Sequence, residues 1–430
     1  MTDAAHADGP APTDITPGEH PDRQAPNGAG GQAVADGTGL RRAQASVNVA
    51  AIARNCARLR TQLRHGAALC AVVKADGYGH GALASARAAL AGGATWLAVA
   101  DAREARELRE AGLRDTRVLV MGALSPVELD EALAADADVV VWNEDYLADV
   151  AAAGGGRVHV KFDSGMGRLG TRDPVEATRV ADAAEQTPGV RLAGVMTHFA
   201  TADELKDDGF FANQLATFTR WARTIKDKHP DVLVHAANSA ATMREVEAQF
   251  DMVRCGIAIY GMDPFGRDPA ARALEPALEL SSYVAEAKLC QAGESAGYGR
   301  QFVADGDTYI GVLPIGYGDG WRRGLSNNAD VLIGGHRHPL VGTVSMDSIT
   351  VDLGPEGEPT SLRGERAVLI GIQGSERITA EEVARRLETI NYEITCALTP
   401  RVPRFYHRDG VPLDAGAQRA RARTADAGAA

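Results

Sequence analysis

The chain has 430 residues, 45% hydrophobic and 24% charged, which is enough for two or three cored domains and excludes a chain disordered throughout. Fifty-seven acidic residues against 45 basic ones leave a formal net charge of -12, which argues against a nucleic-acid binder with its basic face. No apolar run approaches the ~18–20 residues of a membrane helix, and no basic stretch leads into an apolar one near the start, so neither a membrane partner nor a signal peptide is expected.

Five cysteines (Cys56, Cys70, Cys255, Cys290 and Cys396) stand at wide, irregular gaps with no C-x-x-C pair. A disulfide framework or a structural zinc site is not expected, nor is any metal. Each cysteine reads as a small buried hydrophobe, and the cytoplasm is the expected compartment.

In chain order, residues 1–42 are rich in Ala, Gly, Pro and Asp and carry almost no large apolar side chains. They read as a disordered extension, because little burial is available to offset the entropy of ordering. From 43 to 278, short β-rich runs alternate with helix-forming stretches. The runs are Ala68–Lys74, Trp96–Ala100, Arg117–Gly122, Asp138–Trp142, Val158–Phe162, Leu192–His198, Val232–Ala236 and Asp251–Arg254. The stretches Ala82–Ala91, Ala102–Ala111, Val175–Glu185 and Phe211–Lys226 are full of good helix formers. Such alternation predicts parallel β-α-β units, and eight of them suggest an α/β fold closed as a (β/α)8 barrel, with an open doubly wound sheet as the rival.

From 279 to 412 the texture changes to a mostly β domain. Strands are expected at Ser281–Cys290, Thr308–Leu313, Asp330–Ile333, His338–Val341, Ser348–Asp352 and Ala367–Ile370, and one helix, Ala380–Thr389, after the cap residue Thr379. Residues 413–430 read as a flexible tail.

The segment Cys70-Ala71-Val72-Val73-Lys74-Ala75-Asp76-Gly77-Tyr78-Gly79-His80-Gly81 runs an apolar strand into a lysine and then a glycine-rich loop. Barrel strands open at their C-termini onto the active-site face. A lysine desolvated there has a lowered pKa and a free amine for Schiff-base chemistry. By itself, a strand-end lysine is more often a solvated surface group.

As a whole, this segment resembles the cofactor-attachment motif of alanine racemases, and further segments match in order from about residue 43 to 412. The resemblance implies a barrel that binds pyridoxal 5'-phosphate (PLP), a following β domain, and a homodimer whose subunits share active sites. It implies interconversion of L- and D-alanine, supplying D-alanine for peptidoglycan. It makes Lys74 the covalent cofactor anchor and one catalytic base, with Tyr78 on the phosphate.

In Lys161-Phe162-Asp163-Ser164-Gly165-Met166-Gly167-Arg168, the resemblance assigns Arg168 to the substrate carboxylate, for which a guanidinium fork suits. Lys161 matches a position carbamylated in some members; a plain charged lysine is the other reading. His198 matches an imidazole packed on the cofactor ring. Asn238 and Ser239 match cofactor-binding positions, although an Asn-Ser pair is ordinarily a helix cap. The amides of Gly256 and Ile257 match phosphate donors.

Arg254 matches the residue facing the pyridine nitrogen. An arginine there only donates, so the nitrogen stays unprotonated and transamination is limited.

In the β domain, Ala296-Gly297-Tyr298-Gly299-Arg300 resembles the motif of the opposing base, Tyr298, which in the family reaches the partner's site. Met346 and Asp347 match a substrate-contacting segment, Tyr317 and Arg323 an access corridor, and Tyr392 a phosphate contact. Asp76-Gly77 and Ser348 depart from commoner family forms, with effects expected in local loops. A racemase of serine or of broader range shares all these parts. A non-catalytic PLP-binding protein of the barrel-only type would lack residues 279–412 and Tyr298. A barrel-type decarboxylase would carry an acid in place of Arg254.

Overall fold

The eight apolar runs become eight parallel strands that close on themselves in the computed structural model, which describes residues 40–64, 66–206, 208–355 and 359–413. All but the inner edges of the terminal stretches 1–42 and 413–430 lie outside the described residues.

A strand β1 (Gln44–Asn48) precedes the barrel. The barrel strands are β2 (Ala68–Val72), β3 (Trp96–Val99), β4 (Arg117–Val120), β5 (Asp138–Val141), β6 (Gly156–Lys161), β7 (Val190–Met196), β8 (Leu233–His235) and β9 (Met252–Cys255). The barrel closes where β2 pairs with β9, with Ala68 opposite Met252 and Ala71 opposite Cys255. Parallel strands buried on both faces need continuous apolar runs, and Leu97, Ala98 and Val99 on β3 have no exposed surface.

Between strands, several of the helices begin on side-chain caps. Asp101 Oδ1 accepts the Glu104 amide at 2.9 Å ahead of the helix Ala102–Glu110. Ser125 and Glu128 form a reciprocal capping box. Asn143 accepts the Tyr146 amide at 2.8 Å. Such caps are each worth about 1 kcal/mol. The Ala102–Glu110 helix turns Ala102, Ala105 and Leu108 inward at helical spacing. Burying Leu108 contributes about 2 kcal/mol, and Leu108→Ala is the change that would open a cavity behind this helix.

The second sheet has eleven strands among the described residues. Its core path runs Glu286–Cys290, Thr308–Leu313, Ile349–Gly354, His336–Val341, Asp330–Ile333, Arg366–Gln373 and Leu278–Tyr283, then β1 and Arg404–Arg408.

Two departures from expectation have physical causes. The single strand expected over Ser281–Cys290 is broken, because Leu278–Tyr283 pairs with Arg366–Gln373 whereas Glu286–Cys290 pairs with Thr308–Leu313. Also, β1 falls within the 43–278 stretch read as barrel but is built into the second sheet. It is antiparallel to Leu278–Tyr283 and parallel to Arg404–Arg408. Long-range pairing of this kind leaves no local signal.

Candidate active site

The C-terminal ends of the barrel strands surround a cavity of about 470 Å3. Eleven of the candidate residues line it: Lys74, Tyr78, Lys161, Arg168, His198, Asn238, Ser239, Arg254, Gly256, Ile257 and Tyr392. Lys74, Lys161, Arg168 and Arg254 bring four cationic side chains to the lining, and the described lining contains no carboxylate.

Lys74 stands where β2 ends, followed by a left-handed turn. Ala75, Asp76, Gly77, Tyr78 and Gly79 all have φ between 51° and 82°. Left-handed backbone costs roughly 1–2 kcal/mol per non-glycine residue and persists only when its surroundings fix it. Here Glu104 accepts the Ala75 amide at 2.6 Å, and Asp76 Oδ1 accepts the Ala82 amide at 3.0 Å. From the second domain, Arg404 Nε donates to the Gly79 carbonyl at 3.0 Å. A β-carbon at Gly79 would collide with the Thr395 carbonyl, so this position requires glycine. The Asp76-Gly77 variation therefore lies inside the turn that presents the lysine. Burial, and then Arg168, lowers the Lys74 pKa.

Asp163, buried after β6, gathers the amides of Gly165 and Gly167 at 3.1 and 3.0 Å, and the resulting loop carries Arg168 to the cavity mouth. Lys161 is 3% exposed, and burial together with Arg168 and Arg254 lowers its pKa to about 8.

Arg254 is 3% exposed on β9. Its Nη2 donates to the Thr197 carbonyl at 2.8 Å and the Ala236 carbonyl at 2.9 Å, and lies 3.2 Å from His198 Nδ1. Burial and the neighbouring Arg254 push His198 well below its ordinary value, which keeps it neutral.

Tyr78 and Tyr392, also in the lining, stand with ring centroids 5.9 Å apart. Burial raises both phenols, so their hydroxyls remain donors. Asn238 is the cap of the helix Ser239–Arg244, its Oδ1 accepting the Ala241 amide at 2.9 Å. Ser239 Oγ accepts the Gly256 amide at 3.1 Å, so that amide, expected as an anion donor, is engaged within the protein.

The remaining five candidates are not in this cavity. Tyr298 is 72% exposed and Met346 51%, and Tyr317, Arg323 and Asp347 are also exposed on the second domain. The segments that carry them are hydrogen-bonded to one another: the Val344 amide donates to Ser326 Oγ at 3.0 Å and the Tyr317 amide to the Ser345 carbonyl at 3.0 Å. Thr343 Oγ1 donates to the Tyr298 carbonyl at 2.7 Å, the Gly318 amide to the Met346 carbonyl at 2.9 Å, and Ser326 Oγ to the Arg323 carbonyl at 2.6 Å.

Two features were not read from the sequence. Glu104 pins the lysine turn through its side chain, and no motif marks it. Cys396 lines the cavity and is exposed, unlike the four buried cysteines, because it sits at the end of the helix Asn391–Cys396 that also carries Tyr392. The reading of every cysteine as buried is corrected at this position.

The family model "Alanine racemase, N-terminal domain" matches residues 47–264, and "Alanine racemase, C-terminal domain" matches 277–406. The chain is 39% identical to alanine racemase 1 of Bacillus subtilis over 373 residues, covering 85% of this chain and 93% of that protein. It is 41% identical to alanine racemase of Geobacillus stearothermophilus over 375 residues, covering 85% and 93%. Among solved structures, alanine racemase from a D-cycloserine-producing Streptomyces lavendulae superposes with a TM-score of 0.80 at 35% identity, covering 86% of this chain and 98% of that one. The Bacillus anthracis alanine racemase with bound L-Ala-P gives 0.79 at 36% identity, covering 88% and 98%. With the cation-lined barrel mouth, the second sheet and both domain matches in hand, the chain belongs to the alanine racemase family.

Proposed function

We propose that this protein interconverts L-alanine and D-alanine with pyridoxal 5'-phosphate as cofactor, using Lys74 and Tyr298 as bases on opposite faces of the α-carbon. The observation that carries the reading is the Lys74 cavity itself: a desolvated amine among three further cations, with no acidic side chain in the described lining. This donor set suits a ligand that brings a phosphate and an amino-acid carboxylate. Bound at Lys74, the cofactor supplies an electron sink that acidifies the α-hydrogen.

The hydroxyls of Tyr78, Ser239 and Tyr392 and the Ile257 amide hold the phosphate, with Asn238 and Gly256 shaping that end. With the cofactor bound, His198 would pack on the ring, and Arg254 would serve its nitrogen as a pure donor. Arg168 takes the substrate carboxylate. Lys161, with its pKa near 8, has an appreciable share of free amine at neutral pH, the form that carbon dioxide modifies. The carbamate would orient Arg168.

Tyr298 lies outside the cavity of its own chain and on an exposed surface. We therefore infer a homodimer in which Tyr298 and the Met346 amide of each subunit complete the partner's site, with Asp347 beside them and Tyr317 and Arg323 narrowing the access corridor. Two bases from two chains deliver and remove protons on opposite faces without moving the substrate. We divide the chain into a barrel, 43–278, and a β domain, 279–412, with Gln44–Asn48 of the first stretch contributed to the sheet of the second. Among the described residues, no helix is long and apolar enough to cross a membrane. Free thiols suit the cytoplasm, where D-alanine is made for peptidoglycan.

Chiral analysis of L-alanine incubated with the purified protein tests the reading. D-alanine should form and should depend on PLP. Absence of D-alanine from PLP-loaded protein, or conversion indifferent to PLP, would overturn it.

A further inference from the structure

A small barrel is ordinarily filled by layers of branched apolar side chains. This one carries a polar chain through its interior. Asp138 opens β5, His159 lies in β6, His235 ends β8 and Arg254 lies in β9, and all four are 0–3% exposed. Asp138 Oδ2 is 2.9 Å from His159 Nε2, His159 Nδ1 is 2.8 Å from His235 Nε2, and His235 Nδ1 is 2.9 Å from Arg254 Nη1.

The sense of every bond is forced. An arginine has no acceptor, so His235 Nδ1 must accept and its proton sits on Nε2. His159 Nδ1 must then accept, and its Nε2 proton goes to Asp138. Both imidazoles are neutral and of one tautomer, and the series runs donor to acceptor from Arg254 to a carboxylate. At the far end, Asp138 Oδ1 accepts Arg157 Nε at 2.7 Å, and Arg117 also pairs with the carboxylate. Burial would push that carboxylate up, but His159 and the two arginines hold it well below the usual range.

The backbone is adapted to this chain. The β6–β7 register slips between Val158, opposite Leu192, and His159, opposite Gly194. Such irregularities re-aim a side chain. A β-carbon at Gly194 would collide with the His159 ring. Four buried polar groups, a slipped register and a required glycine are costly in a core that apolar residues would fill more simply.

We propose that Asp138 and His159 are positioning residues which, through His235, fix how the Arg254 guanidinium is presented to the cofactor ring nitrogen, and thereby keep the reaction on racemisation. This rests on the reading that Arg254 faces that nitrogen. With the chain broken, His235 is free to take the other tautomer, whose Nδ1 proton opposes Arg254. The guanidinium then shifts, and the ring nitrogen gains access to a proton. The side reaction that follows oxidises alanine to pyruvate and reduces the cofactor aldehyde to the amine, the amino group and the aldehyde oxygen changing places.

The test compares wild-type protein with His159→Leu, His159→Gln and Asp138→Asn. The nitrogen-15 spectrum of labelled histidine in the wild-type protein is expected to show protons on Nε2 of His159 and His235, and a proton on Nδ1 of His235 overturns the proposal whether or not any variant folds. With ring-labelled PLP, His159→Leu should move the ring-nitrogen signal and raise pyruvate formed per racemisation about tenfold, the lower end of the effect of removing an outer-layer partner from a metal ligand. KM for alanine should change little. His159→Gln, which keeps a donor and an acceptor, should restore most of the wild-type ratio, and Asp138→Asn should fall between. Unchanged nitrogen signal and product ratio in folded His159→Leu and Asp138→Asn overturn the proposal. A wild-type protein that does not racemise alanine overturns instead the reading beneath it, and the histidine spectrum still decides whether the chain of bonds exists.

Discussion

The Glu104 carboxylate accepts the Ala75 amide at 2.6 Å with one oxygen and the Ala100 amide at 2.7 Å with the other. A helix after β3 thus clamps the left-handed turn after β2. Removing the carboxylate leaves two backbone donors without this acceptor, and an unmet donor costs about 1–3 kcal/mol where it is buried. Glu104→Ala is therefore expected to lower the melting temperature by a few degrees and to weaken PLP binding, since the turn presents Lys74. Differential scanning of apo-protein and a PLP titration measure the two effects. A variant that melts earlier but binds PLP as tightly as wild type would limit Glu104 to stability.

A site shared between subunits predicts complementation. Lys74→Ala should lose borohydride-trappable cofactor, and Tyr298→Phe should slow proton exchange from L-alanine more than from D-alanine. Each homodimer is expected to be nearly inactive. Co-refolded in equal amounts, half of the dimers are mixed, and each mixed dimer has one intact site, so about a quarter of wild-type activity should return. Activity that stays at the level of the separate variants would place both bases within one chain.

The phosphate end offers a steric test. A β-carbon at Gly256 would collide with the Tyr78 hydroxyl. Gly256→Ala should displace that phenol at an overpacking cost of about 1–3 kcal/mol and weaken PLP binding by tenfold or more. The circular-dichroism spectrum should stay that of the wild type. Absorbance titration with PLP reads the change, and wild-type affinity would remove Tyr78 from the phosphate contacts.

Buried histidines set an acid limit. Burial lowers His80 to about 4 and holds His198 and His235 well below their ordinary value of 6.5. The unfolded chain then binds more protons than the folded one, so stability is full above pH ~6.5 and falls as the pH drops toward ~4. Each neutral histidine contributes a slope of roughly 1.4 kcal/mol per pH unit in that window. Urea midpoints measured at several pH values should show the loss, and His80→Gln should flatten it. An equally steep fall in His80→Gln would assign the acid sensitivity elsewhere.

The barrel was legible because its strands are buried on both faces and so read as continuous apolar runs, as in Val139–Val141. The lysine, the arginines and the small phosphate-side residues were legible because they lie in contiguous segments that resemble family motifs. Other features depend on distant partners. Gln44–Asn48 reads like any short alternating segment until its neighbours from positions 278–283 and 404–408 arrive. His235 heads a recognised segment, yet its role depends on His159 and Asp138, which occupy other strands. Tyr298, by contrast, was identified by motif, and it reaches a cavity only if a second subunit supplies one.

The placement of Gln44–Asn48 also bears on the order of events at the ribosome. Asn48 Nδ2 bonds Asp409 Oδ1 across 361 positions of sequence. A growing chain that emerges N-terminus first must hold this strand unpaired while the whole barrel is made, then half-paired once 278–283 is out, and the seam is sewn only when Arg404–Arg408 leaves the exit tunnel. Nascent chains stalled short of Arg404 will therefore expose a raw sheet edge to chaperones and proteases, however complete the barrel already is.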